Sequence, residues 1–214
     1  SRVTETPITD TLSLQFATNV IGHARDDWSR SLTSVNAKAH MHIGFMHMTD
    51  FNMHGAITQF RAAQAIEPNN PMPYWANALA VSTNYNSDMM QQQDRNDYLV
   101  GGYANRTQSC VDNVQKALAR QQNTPHDIDR EIIHAMKIRC VDSLTEDRPG
   151  YATAMSNLLA KHPNNIDVMI QAMYALAYKS RRDDWYKFVN GTCDKSSGVL
   201  PPDTTIDQRD IDYH

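Results

Sequence analysis

The feature that most restricts the fold is a set of small and aromatic residues at fixed spacing between Gly44 and Pro68. Gly44 and Ala56 are small where two helices of a hairpin approach each other, and Phe60 and Ala63 follow on the same helical stripe. The Phe60 ring can fill the wedge toward a third helix. Because proline cannot continue a helix, Pro68 ends the second one. The spacing therefore predicts a tight two-helix hairpin.

Signals for helix ends divide the surrounding stretch, Ala39 to Tyr85 and its flanks, into three helices. Ser34 or Asn36 can cap the first helix, which we expect to reach about residue 48. The second is expected from Met53 to Ile66. A third helix follows, with Pro73 in its first turn, and stops near residues 84–86.

The rest of the chain also has the pattern of helices separated by turns. We expect one helix before this stretch and four after it, at 12–32, 98–122, 129–144, 151–161 and 166–178. Breaks at 123–127, 147–150 and 162–165 separate the later ones, and His-Pro-Asn-Asn at 162–165 echoes Glu-Pro-Asn-Asn at 67–70. The fold class is therefore all-α, with about eight helices. Residues 13–192 form the helical array, between a flexible arm at 1–12 and an extended polar tail at 193–214, which is alternatively a truncated continuation of the array.

These spacings resemble the tetratricopeptide repeat, with His40 and His47 in place of two aromatic residues. The segment from Ala56 to Asn86 further resembles a family of mostly uncharacterised tetratricopeptide proteins, whose members read Tyr-Trp-Gly and then Gly-Pro-Asn-Tyr-Asn. This chain departs from that family at Ala76 and at Ser82-Thr83. The resemblance covers roughly residues 40–178. It implies antiparallel hairpins stacked as a right-handed α-solenoid, and it carries over no reaction.

The resemblance also implies a binding surface. In tetratricopeptide arrays the first helix of each hairpin lines a concave groove that holds a peptide. Eight residues are candidates for this groove: Lys38, Met41, Phe45, Met48, Met72, Trp75, Leu79 and Tyr85. Because this wall is apolar rather than basic, we expect a protein or peptide segment with apolar anchors. In the alternative interpretation, neighbouring helices cover the wall.

A sequence cluster of methionines and histidines in the same stretch favours a second hypothesis, that the protein binds copper. Thioether and imidazole ligands suit copper, and His42 and Met46 share one helix face. The candidate ligands are His40, His42, Met46 and His47. In the opposing interpretation these residues belong to the core. Methionine side chains fill irregular gaps there, and the histidines are hydrogen-bonded. The scaffold hypothesis itself requires no cofactor.

Charge and motifs argue against several other classes. The formal net charge is −4 and no long basic run occurs, which disfavours nucleic acid as a partner. No apolar run approaches the length of a membrane span. The chain lacks the nucleophile elbow, the phosphate loop and the zinc-protease motif, so we expect a protein that is not an enzyme.

The cysteines and the glycosylation sequons bear on the compartment. Cys110 and Cys140 lie on apolar helix faces, which fits either buried thiols or a mutual disulfide that pins two helices. Asn105 and Asn190 each begin an Asn-x-Thr sequon. These sequons slightly favour a secreted protein over a cytoplasmic one. The sequence leaves the oligomeric state open.

Overall fold

The computed structural model of the protein describes residues 28–82, 103–141 and 146–176. All regular structure in these ranges is helical, which confirms the all-α class for this part of the chain. The α-helices are α1 (Val35–Thr49), α2 (Met53–Ile66), α3 (Met72–Val81), α4 (Tyr103–Leu118), α5 (Asp127–Arg139), α6 (Arg148–Lys161) and α7 (166–176). A 3-10 turn occupies Gln121–Asn123 between α4 and α5. In the same ranges, no helix has the length and apolarity that crossing a membrane requires.

The hairpin α1–α2 forms where the spacing predicts it. The Ser34 hydroxyl caps α1 by accepting a hydrogen bond from Ala37 N (3.3 Å), and the Asn52 side chain caps α2. The bounds of α2 are those predicted. Between the helices Phe51 adopts a left-handed backbone conformation, φ 56°, which reverses the chain within a short turn.

Gly44 allows the two helices of this hairpin to pack closely. A Cβ atom added at Gly44 would lie 2.4 Å from Cε1 of Phe60, so no larger residue fits without moving the ring. Ala56, Phe60 and Ala63 have no exposed surface, which confirms the predicted buried stripe of α2. Gly44 and Phe60, two residues of the repeat-like spacing, therefore meet at the contact between α1 and α2.

The two Pro-Asn-Asn junctions also behave alike. The Asn70 side-chain oxygen accepts a hydrogen bond from Met72 N (3.0 Å) at the start of α3. The Asn165 side-chain oxygen accepts one from Val168 N (2.9 Å) at the start of α7. Asn165 directly precedes α7, whereas Asn70 lies one residue before Pro71, the residue that precedes α3, but the short side chain of each reaches an unpaired amide of the first helical turn. The two junctions that resemble each other in sequence therefore also resemble each other in the hydrogen bond that begins the next helix.

Each helix from α1 to α6 packs against its neighbour in the chain, and α3 also contacts α1 and α5. The core includes residues from all seven α-helices, and its largest fully buried side chains include Trp75, Phe60 and Met41. Helix α3 is therefore in contact with four other described helices, α1, α2, α4 and α5.

Some predicted bounds are wrong. Residues 147–150 were expected to separate two helices, but they form the start of α6. The Asp147 side chain caps this helix by accepting a hydrogen bond from Gly150 N (2.8 Å). Pro149 lies in the first turn, where proline is tolerated. Helix α5 begins earlier than expected and ends at Arg139, and α4 ends at Leu118. Of the helix expected at 12–32, the described end, 28–31, is a turn. The arm at 1–12 and the tail at 193–214 lie outside the described residues.

Candidate binding face

The eight predicted groove residues fall into three groups. Five belong to the hydrophobic core, with at most 7% of their surface exposed: Met41, Phe45, Met72, Trp75 and Leu79. Lys38 and Met48 are partly exposed on α1. Tyr85 lies outside the described residues. For the five buried residues, an open wall is therefore the wrong interpretation, and the alternative of a covered wall describes them.

An aromatic cluster lies at the centre of this face. The ring centroids of Trp28 and Trp75 are 4.8 Å apart, those of Phe45 and Trp75 6.1 Å, and those of Phe45 and Phe60 5.2 Å with an edge-on approach. These distances are those of favourable aromatic pairs. Trp28, which is 2% exposed, was not among the predicted site residues. It comes from a turn before α1 and covers the Trp75 ring.

We call residues 28–34 the covering segment. Beside Trp28, the Ser29 hydroxyl lies 3.0 Å from Nε2 of His42 on α1, and both side chains are buried. At the other end of the segment, the Glu67 carboxylate accepts hydrogen bonds from the amides of Thr33 (2.8 Å) and Ser34 (2.5 Å). The segment is thereby fixed to α1 and to the end of α2.

Arg30 extends the covering segment to the start of α5. Its Nε and Nη2 atoms lie 3.2 and 3.0 Å from Oδ1 of Asp129, a carboxylate with no exposed surface. The Thr124 hydroxyl donates to the other carboxylate oxygen, at 2.7 Å. A buried carboxylate needs such partners, because its desolvation in an apolar interior is costly. Arg30 and Asp129 are 99 residues apart, so no local sequence pattern announces the pair.

The junction before α3 completes the attachment. Asn70 Nδ2 donates to the Ser31 carbonyl at 2.8 Å, while the other side-chain atom of Asn70 caps α3. One asparagine therefore both starts α3 and holds the covering segment. Through Trp28, Ser29 and Arg30, the segment contacts α3, α1 and α5 in turn.

The four proposed copper ligands have different surroundings. His40 is buried and its Nδ1 lies 2.7 Å from Oε1 of Gln59 on α2, while His42 faces Ser29. Met46 is 46% exposed. The His47 ring lies 3.2 Å from the Asn52 side chain. In residues 28–82, 103–141 and 146–176, no group of three or more His, Cys, Asp or Glu side chains is placed to hold a metal ion.

A disulfide joins Cys110 of α4 to Cys140, which follows α5, with their Cα atoms 5.7 Å apart. Both cysteines are buried. Asn105 lies in α4, and Asn190 lies outside the described residues.

A charged cluster near the disulfide was also missed by sequence reasoning. Glu146 Oε2 lies 3.1 Å from Nε of Arg139 and 3.6 Å from Nε of Arg148, and its side chain is 3% exposed. The Arg139 guanidinium stacks 5.1 Å from the Tyr151 ring centroid. Burial raises the pKa of Tyr151, and the nearby guanidinium only partly offsets this. These groups join the end of α5 to the start of α6.

The chemistry of the candidate face suits binding. Trp75 supplies an aromatic surface, Asp129 a carboxylate for a cation, and His42 a hydrogen-bonding ring. Comparison of the chain with protein-family models, curated proteins and solved structures finds no match.

Proposed function

We propose that the protein is a tetratricopeptide-like scaffold that binds an extended segment of another protein on the face formed by α1, α3 and α5. The observation that carries the proposal is the covering segment itself. A non-helical stretch of chain lies across these three helices, with an aromatic ring, a hydroxyl and a guanidinium each seated on a different one. A face that binds one non-helical segment in this way has the chemistry to bind another.

The packing order of the helices supports a repeat array. In stacked hairpins, the first helix of each hairpin contacts its own partner and the first helices of adjacent hairpins. Helix α3 has this set of neighbours, since it packs against α4 and contacts α1 and α5. The resemblance in sequence to tetratricopeptide repeats supports α1 and α3 as first helices, since a second copy of the pattern begins at Pro71, directly before α3.

Contacts between successive junctions also support stacking. Arg120 Nε donates to the Pro68 carbonyl at 2.7 Å, and Asn123 Nδ2 donates to the Asn69 carbonyl at 2.8 Å. The Arg120 guanidinium also lies 4.6 Å from the Tyr74 ring centroid. The junction after α4 is therefore fixed beside the junction after α2, as expected when each hairpin repeats the placement of the last.

Selection from a random peptide display library tests this function. The selected peptides are measured by calorimetry against the unmodified chain and against Lys38→Glu and Met48→Ala, which change the partly exposed part of the face. Met46→Ala is the matched control, because Met46 lies on the same helix but on a different side and is 46% exposed.

We expect the two face variants to weaken binding at least fivefold and Met46→Ala to leave it unchanged. A selection that yields no binding peptide, or peptides whose affinity is the same for all three variants, would contradict the proposal. Far-ultraviolet circular dichroism of each variant ensures that a loss of binding is not a loss of fold.

A further inference from the structure

We propose that the partner segment carries an aromatic residue and, two positions later, an arginine, and that the covering segment occupies its site until the partner replaces it. This inference rests on the proposed function and adds what the face recognises. The covering segment supplies the template, with Trp28 on the Trp75 ring and Arg30 on the Asp129 carboxylate.

The arginine requirement follows from the buried carboxylate. Asp129 is fully buried, and its Oδ2 is already bound by Thr124, so a cation must reach Oδ1. Arg30 sets two nitrogen atoms against Oδ1 at once. A guanidinium offers these donors in a fixed plane and is more weakly hydrated than an ammonium group, which favours arginine over lysine at a desolvated carboxylate.

The covering segment is attached in a way that permits release. Its polar contacts to α1, α5 and Asn70 each involve a side chain, as do its amide contacts to Glu67. Lifting it away breaks one main-chain hydrogen bond of α1, from Lys38 N to the Ser34 carbonyl, and leaves those of the other helices in place. Release also uncovers the space that Trp28 and Leu32 fill in the core, so a partner segment must bring apolar side chains of its own to replace them.

One group on the face gives a partner an advantage over the resident segment. The indole N–H of Trp75 is buried and, within the described residues, has no hydrogen-bond acceptor. A buried donor without an acceptor is unfavourable. A partner segment that sets a carbonyl against this N–H gains a hydrogen bond that the covering segment does not supply. This gain offsets the high effective concentration of a segment in the same chain.

A fluorescein-labelled peptide with the sequence of residues 26–36, DDWSRSLTSVN, is the probe. Fluorescence anisotropy measures its binding to the full chain carrying Trp28→Ala and Arg30→Ala, which weakens the resident segment. The same peptide is titrated into the unmodified chain. Control peptides carry alanine in place of the tryptophan or lysine in place of the arginine.

We expect the peptide to bind the double variant at least tenfold more tightly than the unmodified chain, and each control peptide to bind at least tenfold more weakly than the probe. Asp129→Asn in the double variant should abolish the preference for arginine over lysine. No binding to a folded double variant, equal binding to both chains, or equal binding of probe and controls would overturn the inference.

If the double variant does not fold, hydrogen exchange on the unmodified chain tests the inference instead. At millimolar probe peptide, exchange of the Thr33 and Ser34 amides should rise at least tenfold, while Phe60, in the middle of α2, should not change. No rise at Thr33 and Ser34 would overturn the inference. If display-selected peptides bind the face but lack the aromatic-x-arginine pattern and do not compete with the probe, the inference fails and the proposed function stands.

Discussion

The first and last parts of the described chain are stabilised by different means. In residues 28–82 the core is aromatic, with Trp28, Phe45, Phe60 and Trp75 in contact. In residues 127–176 seven large apolar side chains are at least 38% exposed, against four in residues 28–82, so less of the apolar surface there is buried. The later part is instead tied by the Cys110–Cys140 disulfide and by the charged cluster around Glu146.

One all-helical chain thus combines two kinds of stability in its described parts. Where the core is deep, stability comes from close packing, and substitution leaves a cavity. Where burial is thinner, a cross-link or a paired charge supplies what the hydrophobic effect does not. Two of the three helices of the candidate face, α1 and α3, lie in the deep part, which keeps Trp75 and His42 in fixed positions.

The largest expected effect compares core truncations in the two parts. Phe60→Ala should lower the free energy of unfolding by about 4 kcal/mol, because an aromatic ring in contact with Phe45 is lost. Met155→Ala, at an equally buried site in α6, should cost about 2 kcal/mol, the low end for methionine, since its surroundings can relax. Urea unfolding measures both. An equal or greater cost for Met155→Ala would show that the cores are alike.

Loss of the disulfide should have the next largest effect on the free energy of unfolding, and this effect should arise in the later part. Replacing both Cys110 and Cys140 by serine should lower the free energy of unfolding by about 3 kcal/mol, because the bond closes a loop of 30 residues. The near-ultraviolet circular dichroism of the Trp28–Trp75 pair should persist. Cys193→Ser is the matched control. If the serine variant unfolds at the same urea concentration as the control, the disulfide does not stabilise the later part.

Glu146→Gln should destabilise the later part by about 3 kcal/mol, because it removes the negative charge that faces the largely buried Arg139 guanidinium. Thermal unfolding measures the loss. Arg139→Met in the same background should recover part of the stability, since it removes that guanidinium. Additive losses from the two substitutions would mean that the charges do not act on each other.

Gly44→Ala tests the close contact in the first part. The clash with the Phe60 ring should outweigh the better helix propensity of alanine, for a net loss of about 1 kcal/mol. Combined with Phe60→Leu, the same substitution should be neutral or stabilising. Should Gly44→Ala stabilise the otherwise unmodified chain, the α1–α2 contact is looser than described.

The smallest expected effect lies at the surface of the later part. Burial raises the pKa of Glu131, but hydrogen bonds from Lys161 and His162 and the charges of both outweigh it, so the pKa is lowered from its ordinary 4.5. A lowered pKa stabilises the fold above pH 4.5 and loses this contribution as the pH falls below it. The surface location limits the contribution to less than about 1 kcal/mol. Glu131→Gln should flatten the stability profile between pH 5 and 3, and an unchanged profile would exclude the contribution.

Local chemistry made part of this structure predictable from sequence. The spacing from Gly44 to Phe60 records one helix contact, and Asn70 caps α3 within two residues of itself. The same reasoning failed at Pro149, since proline both breaks a helix and suits its first turn. It also could not separate a groove wall from a core, because both place apolar residues such as Trp75 at the same helical spacing.

The covering segment was not predictable for a different reason. Its attachment depends on pairs such as Arg30 with Asp129 and Ser31 with Asn70, which are distant in the chain and have no period. Helical periodicity around Trp28 suggested a helix instead of the turn that is present. Only the three-dimensional structure brings these residues onto one face.

The most direct test of the central claim is a map of amide chemical-shift changes when the peptide of residues 26–36 binds to the chain carrying Trp28→Ala and Arg30→Ala. We expect the largest chemical-shift changes around His42 of α1, Trp75 of α3 and Asp129 of α5. The amides in the middle of α2 and α4 should change little. Largest changes on α2, α4 or α6, or weak changes spread over the whole chain, would contradict a binding face on α1, α3 and α5.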